Sequence, residues 1–226
     1  MSAGGGGHVK MRSIFNVEGK FFTITSKIAD LVVITMLWLI GCVPVVTILT
    51  STASMYQTTV KCIRYDRGKV FEEFKEAYKK NLKQGIELTV LYGIIGGGIG
   101  FGDYYVFTLL TSRSGPAFVL AAGMLIWSLL YLMNVIWLIP VFSRFSNTLG
   151  NMLRLNYVIS VRHLARSVVM LLIMAAAAFI TAASLPLIII LPSLSMLVIS
   201  YLSEPGLHKY MPEQAEENGD WRYGYK

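Results

Sequence analysis

Long apolar segments separated by short basic loops constrain this chain more than any other feature of its sequence. When the apolar segments are drawn as six membrane crossings, nineteen of the 20 Lys and Arg residues fall on one side and Arg113 alone falls on the other. Short loops rich in Lys and Arg stay cytoplasmic, because cations are hard to move across the membrane against its potential. The sequence therefore predicts an all-α, polytopic membrane helix bundle with both termini in the cytoplasm.

The composition points to the same class of protein. The mean hydropathy is +0.57, and 54% of the residues are hydrophobic while only 15% are charged. Soluble domains carry about 25% charged residues, so lipid is expected to cover the apolar surface here. The net charge of +7 comes from cations that flank apolar segments. We therefore expect the bilayer and its anionic headgroups as partners, and no nucleic acid.

The apolar pattern divides the chain into three parts. Residues 1–27 are predicted to form a cytoplasmic N-terminal segment, residues 28–202 a single transmembrane helical domain, and residues 203–226 a cytoplasmic polar tail. Proline does not fit the interior of a helix, so we predict helix breaks at Pro44 and Pro186. The second break divides one apolar stretch that, at roughly 51 Å as helix, is too long for a single crossing of a core of about 30 Å.

The predicted second crossing, residues 45–63, is unusually polar. Four of its hydroxyl residues recur at helical spacing, so this stripe should face protein and not lipid. The segment is either a crossing buried in the bundle or a re-entrant helix. Together with Asp103, which lies near the outer interface or acts at depth, the stripe is a possible polar path. The stripe residues are Thr47, Ser51, Ser54 and Thr58.

Two amphipathic stretches, residues 69–83 and 143–166, are predicted to lie in the cytoplasmic interface plane. Their cations are candidates for docking to a partner or contacting lipid, namely Lys75, Lys79, Lys80, Lys83, Arg162 and Arg166.

The third crossing, predicted as Gly85–Leu110, contains a glycine run that has the wrong context for a phosphate loop. Small residues four apart allow helix backbones to approach closely, and a flexible hinge is the other interpretation. The predicted helix-packing glycines are Gly93, Gly96, Gly97 and Gly100.

Catalytic chemistry has no positive support in the sequence. The three histidines, His8, His163 and His208, are far apart, so no metal site is predicted. No Ser or Thr in the apolar segments has an embedded His partner, and no paired ionisable groups are expected at depth. We therefore predict no enzyme activity, no cofactor and no metal.

Several residues in the first half of the chain form a distinct pattern: the pair Leu37–Trp38, Pro44, Thr47, the run from Ser51 to Ser54, Tyr56, Lys61, Phe71, Phe74 and Asn81. This pattern resembles the signature of the YesL-like family of small bacterial multipass membrane proteins. One departure is the Thr-rich segment after Pro44, where members of that family more often continue with Gly and Ala.

The resemblance implies a functional context that the residues alone do not. YesL-like proteins tend to accompany carbohydrate uptake systems. The resemblance therefore implies that this chain is a non-catalytic accessory subunit in the bacterial cell membrane. Such a subunit would pack against the permease subunits of a carbohydrate (oligosaccharide) ABC importer. The alternative is a small stand-alone transporter with a polar path along the second helix.

Overall fold

A computed structural model of the chain describes residues 7–111, 115–145 and 148–210, and these form helices and no strand. The all-α prediction is confirmed for this part of the chain. The seven α-helices are α1 (Gly7–Cys42), α2 (Ile48–Thr58), α3 (Val70–Thr111), α4 (Gly115–Arg144), α5 (Leu149–Arg162), α6 (Leu164–Ala183) and α7 (Leu191–Leu207).

Several of these helices are suited to a membrane. Among the described residues, four stretches are long and apolar enough to span a bilayer: Ile24–Cys42, Val70–Leu110, Phe118–Arg144 and Leu164–Ala183. Helix α2 has only 11 residues and α7 has 17, so neither reaches the roughly 20 residues that a crossing needs. The structure thus supports a membrane protein with four candidate spans, and the six crossings of the sequence stay a prediction.

Both prolines singled out in the sequence lie between helices. Pro44 has an extended backbone and precedes a short 3₁₀ turn, Val45–Thr47, that leads into α2. The Thr47 hydroxyl donates to the carbonyls of Gly41 at 2.8 Å and Pro44 at 2.7 Å, which closes this turn. Pro186 lies in a second 3₁₀ segment, Leu185–Ile189, between α6 and α7.

Helix α3 differs from the sequence prediction. Residues 69–83 were predicted to form a separate interfacial helix before a crossing that starts at Gly85, but the structure joins them in one helix of 42 residues. No proline interrupts this stretch, and a glycine inside a helix costs only about 1 kcal/mol. At about 63 Å, α3 is roughly twice as long as the hydrocarbon core is thick.

The predicted amphipathic stretch at 143–166 is also arranged differently. Helix α4 continues through Arg144, α5 covers Leu149–Arg162, and α6 begins at Leu164. Residues 146 and 147 lie outside the described residues.

The two halves of α3 have different neighbours. Along its first half, α3 packs against α2, where the Leu49 amide donates to Thr89 Oγ1 at 3.4 Å. Lys61, three residues beyond the end of α2, pairs with Glu73 on α3. Along its second half, α3 packs against α4, where the Tyr131 hydroxyl donates to the Tyr92 carbonyl at 2.8 Å. Only part of α3 is therefore flanked by both the α1–α2 hairpin and α4.

The end of α1 lies at a different level from the one that the six-crossing topology predicts. If α1 crosses the membrane straight, Pro44 lies on the side opposite the cations of residues 61–83. In the structure Pro44 and Ile40 line the same cavity as Lys75 and Lys79. The end of α1 thus lies level with the basic turns of α3, because α2 returns antiparallel to both helices.

Gly85 allows α2 and α3 to approach closely, and its replacement by Ala is predicted to weaken the fold. A Cβ atom there would collide with the Thr50 side chain and stand 3.1 Å from the Thr50 Cα, which cannot move without shifting α2. Overpacking of this kind costs about 1–3 kcal/mol. We expect Gly85→Ala to lower the melting temperature in detergent micelles.

Gly98→Ala is the matched control, because a Cβ atom at Gly98 meets nothing within 4 Å. This variant is expected to melt at the wild-type temperature or above it. Equal melting temperatures for the two variants would contradict the close packing at Gly85.

Candidate functional site: a buried ion pair where three helices meet

An arginine and a glutamate form an ion pair inside the protein. Arg144, the last residue of α4, places Nη2 2.7 Å from Oε2 of Glu204 on α7, and its Nε donates to Oε1 at 3.0 Å. Only 1% of the Arg144 side chain and 5% of the Glu204 side chain are exposed. Charged side chains are almost never buried to this degree unless they are paired.

Tyr56 on α2 adds a third helix to this site. Its hydroxyl donates to Oε1 of Glu204 at 2.8 Å and lies 2.7 Å from the hydroxyl of Ser203. The tyrosine side chain is fully buried. The carboxylate of Glu204 therefore accepts hydrogen bonds from α2 and α4 at once, and hydrogen bonds to a charged group contribute about 1.5–3 kcal/mol each.

A π-helical segment, Thr59–Arg64, directs another arginine to α7. Arg64 Nη1 donates to the Ser200 carbonyl at 2.9 Å, and its guanidinium lies 4.4 Å from the centre of the Tyr201 ring. Cation–π contacts of this kind contribute about 0.5–2 kcal/mol. Burial raises the pKa of neighbouring Tyr65, and the positive charge of Arg64 opposes that rise. Helix α7 is thus held by charged groups at two levels.

This site can act as a clamp among the helices. The Coulomb attraction and the hydrogen bonds offset the cost of removing both charges from water, and the removal of one partner leaves an unpaired buried charge. Charged residues inside a membrane bundle are candidates for function by default. In the described part of the chain, no three His, Cys, Asp or Glu side chains stand close enough together to hold a metal ion.

The sequence prediction missed this site. It expected no paired ionisable groups at depth, placed Arg144 in the interfacial stretch 143–166, and began a polar tail at residue 203. The structure instead buries Arg144 and Glu204 as a pair, because α7 continues through Leu207 and turns Glu204 inward. A signal was present in the helical spacing of buried residues on α7, which include Ser193, Met196, Ser200, Ser203, Glu204 and Leu207. Residues 211–226 of the predicted tail lie outside the described residues.

A second polar cluster joins α3, α4 and α5. Asn156 Nδ2 donates to Asn134 Oδ1 at 2.9 Å and to the Asn134 carbonyl at 3.0 Å, and lies 3.2 Å from the Tyr92 hydroxyl. The Tyr92 hydroxyl in turn donates to Asn134 Oδ1. Asn156 is fully buried, so these contacts replace the hydrogen bonds to water that its amide nitrogen loses, whereas its Oδ1 has no hydrogen-bond partner among the described residues.

The two predicted docking arginines lie at the junction of α5 and α6. Arg162 ends α5, and Arg166 on α6 lies against Gly206 at the end of α7. Between them, His163 packs against Trp137 with the rings tilted by 30° and 5.8 Å between their centroids. Burial lowers the pKa of His163, and the positive charges of Arg166, Lys209 and Arg162 act in the same direction.

The predicted polar stripe on α2 faces protein, as its spacing indicates, and its hydroxyls bond mostly to backbone. The Ser51 hydroxyl donates to the Trp38 carbonyl at 2.9 Å, and the Ser54 hydroxyl donates to the Thr50 carbonyl at 2.7 Å. Thr58 is fully buried. Asp103 is not brought to this stripe, since it accepts a hydrogen bond from Ser128 on α4 at 2.6 Å.

The predicted packing glycines have different surroundings. A Cβ atom added at Gly96 would stand 2.5 Å from the Tyr131 hydroxyl, so α4 packs closely there. Cβ atoms at Gly93, Gly97 and Gly100 would meet nothing within 4 Å. Those three glycines therefore lie on an open face of α3.

The predicted docking lysines share the first half of α3 but not one surface. Lys75 and Lys79 line a cavity against the end of α1. Lys80 and Lys83 are exposed on the same helix and do not line it.

One family model matches part of this chain. Residues 31–102 match a family model described as "Protein of unknown function, DUF624", the domain that defines YesL-like proteins. This match over part of the chain is consistent with the YesL-like family. The resemblance seen in the sequence is thereby confirmed, and the matched residues run from Leu31 in α1 to Gly102 in α3. The match includes Tyr56 and the open glycines but neither partner of the buried ion pair. The curated proteins and the solved structures gave no match.

The hydrogen bond from Tyr56 to Glu204 predicts a measurable loss of stability in Tyr56→Phe. This substitution keeps the ring and removes only the hydroxyl, so we expect the free energy of unfolding in detergent micelles to fall by about 1.5–3 kcal/mol. Tyr157→Phe is the matched control, because Tyr157 on α5 is 64% exposed. Equal stability of the two variants would show that the buried hydroxyl contributes nothing to the clamp.

Proposed function

We propose that this protein is a non-catalytic accessory subunit that packs against another membrane protein through the open glycine face of α3. The observation that carries the proposal is the row formed by Gly93, Gly97 and Gly100, which meets no other part of the described chain. Beside this row, on one flank of the helix, stand Ile94, which is 71% exposed, and Phe101, which is 73% exposed.

The glycines have a cost that packing within this chain does not offset. Each glycine in a helix interior is about 1 kcal/mol less favourable than Ala, and these three gain no close contact within the described residues. Within a bilayer, small residues favour association because they let a second backbone approach, while large neighbours such as Ile94 and Phe101 supply packing walls. A helix of a partner protein fits this face.

The proposed partner is the permease of a bacterial carbohydrate ABC importer. The support for this class is the resemblance to YesL-like proteins, which tend to accompany carbohydrate uptake systems, together with the family match at residues 31–102. The lopsided distribution of Lys and Arg supports a location in the cell membrane with both termini cytoplasmic.

Copurification tests the proposal. The full-length chain, extracted in a mild detergent with tagged permease subunits, is expected to copurify with them. The double variant Gly93→Leu/Gly97→Leu is expected to lose most of this copurification, because the added side chains block the close approach of a partner helix.

The control is Gly123→Leu on α4, since a Cβ atom at Gly123 also meets nothing within 4 Å but lies on another helix. Its copurification should equal that of the wild type. A chain that is reproducibly a solitary monomer, or a double variant that copurifies as well as Gly123→Leu, would contradict the proposal.

A further inference from the structure

The end of α1 and the first turns of α3 enclose a groove with an apolar wall. Its volume is about 410 Å³, within the range of roughly 300–1,000 Å³ that is usual for ligand pockets. Leu37 and Ile40 line it from α1, and Phe71 and Leu82 line it from α3. Ile40 is 68% exposed and Phe71 is 59% exposed, so the groove opens to the surroundings of the protein.

Two lysines stand at this groove and carry no compensating charge. Lys75 and Lys79 are one helical turn apart on α3, so their side chains lie on the same face. Within the described ranges, neither forms an ion pair with a carboxylate, whereas Lys61 pairs with Glu73 and Lys69 pairs with Glu72. Two ammonium groups therefore remain available beside an apolar wall.

We propose that this groove binds one anionic phospholipid from the surrounding bilayer. The acyl chain lies along Leu37, Ile40 and Leu82, and the headgroup phosphate accepts hydrogen bonds from Lys75 and Lys79. Lysine is suited to this role because its four-carbon stem follows apolar surface while its ammonium group reaches toward headgroups. Anionic lipid attracts such cations, and a zwitterionic headgroup lacks the net charge for the same attraction.

The chemistry of the groove decides against other occupants. A free phosphate would use the two lysines and leave the apolar wall uncovered. A sugar would need closely placed hydrogen-bonding groups, and aliphatic and aromatic side chains dominate the lining. This site does not depend on the proposed permease partner, which packs against the other half of α3.

Native mass spectrometry of the full-length protein in detergent tests the site with phosphatidylglycerol as the probe. We expect one bound lipid per chain and weaker binding of phosphatidylcholine. The double variant Lys75→Gln/Lys79→Gln should bind phosphatidylglycerol about thirtyfold more weakly, since two cation–phosphate attractions are lost. Equal binding of the two lipids by the wild type would overturn the proposal.

The matched charge control is Lys69→Gln/Lys83→Gln, which removes two exposed cations, one just before α3 and one on it, that do not line the groove. This variant is expected to bind phosphatidylglycerol as the wild type does. A loss as large as that of Lys75→Gln/Lys79→Gln would show that general surface charge, and not the groove, attracts the lipid.

The apolar wall is tested separately. Ile40→Gln should weaken phosphatidylglycerol binding severalfold, while Val33→Gln, at an exposed position of α1 outside the groove, should not. Undiminished binding by Ile40→Gln, or equally tight binding of glycerol phosphate without acyl chains, would reduce the site to a phosphate contact and overturn the proposal.

Deletion of the acidic residues 211–226 tests whether that segment occupies the groove instead. The deletion should leave the affinity for phosphatidylglycerol unchanged, and a rise would identify residues 211–226 as the occupant.

Discussion

The ion pair between Arg144 and Glu204 constrains the packing of every helix around it. Its two charges are buried, so they must stay close enough to offset the loss of hydration, and this requirement fixes the end of α4 against α7. Tyr56 extends the requirement to α2, because its hydroxyl donates to the same carboxylate. Residues 56, 144 and 204 are far apart in the chain, so one small cluster brings together three helices that sequence neighbours do not connect. A shift of any one helix would break a contact made by the other two.

Because α3 is so long, the other helices pack against it in two separate regions. One uninterrupted helix carries the α1–α2 hairpin on its first half and α4 on its second half. The first half bears basic side chains, and the end of α1 beside them forms the groove at Lys75 and Lys79. The second half bears the open row of Gly93 and Gly97, which suits a protein neighbour in the bilayer. The lipid site and the partner face are therefore proposed for separate surfaces of one helix.

Sequence reasoning reached the features that depend on local pattern. The helical class, the break at Pro44 and the protein-facing stripe on α2 all follow from proline geometry and periodicity. It did not predict the partner of Arg144, because periodicity can place Glu204 on the buried side of α7 but cannot identify a partner 60 positions away. It divided α3 near Gly85, because charge composition changes there although the helical pattern does not. Glycine spacing showed where backbones can approach, but only the structure showed that Gly96 has a neighbour and Gly93 does not.

A double-mutant cycle on the buried pair tests the central claim most directly. Arg144→Met and Glu204→Met are each expected to lower the free energy of unfolding in detergent micelles by about 3–5 kcal/mol, because each leaves an unpaired charge in the interior. The double variant buries no charge at this site, so its loss should be far smaller than the sum of the two single losses. Two single losses that simply add in the double variant would show that Arg144 and Glu204 do not depend on each other, and would contradict this account.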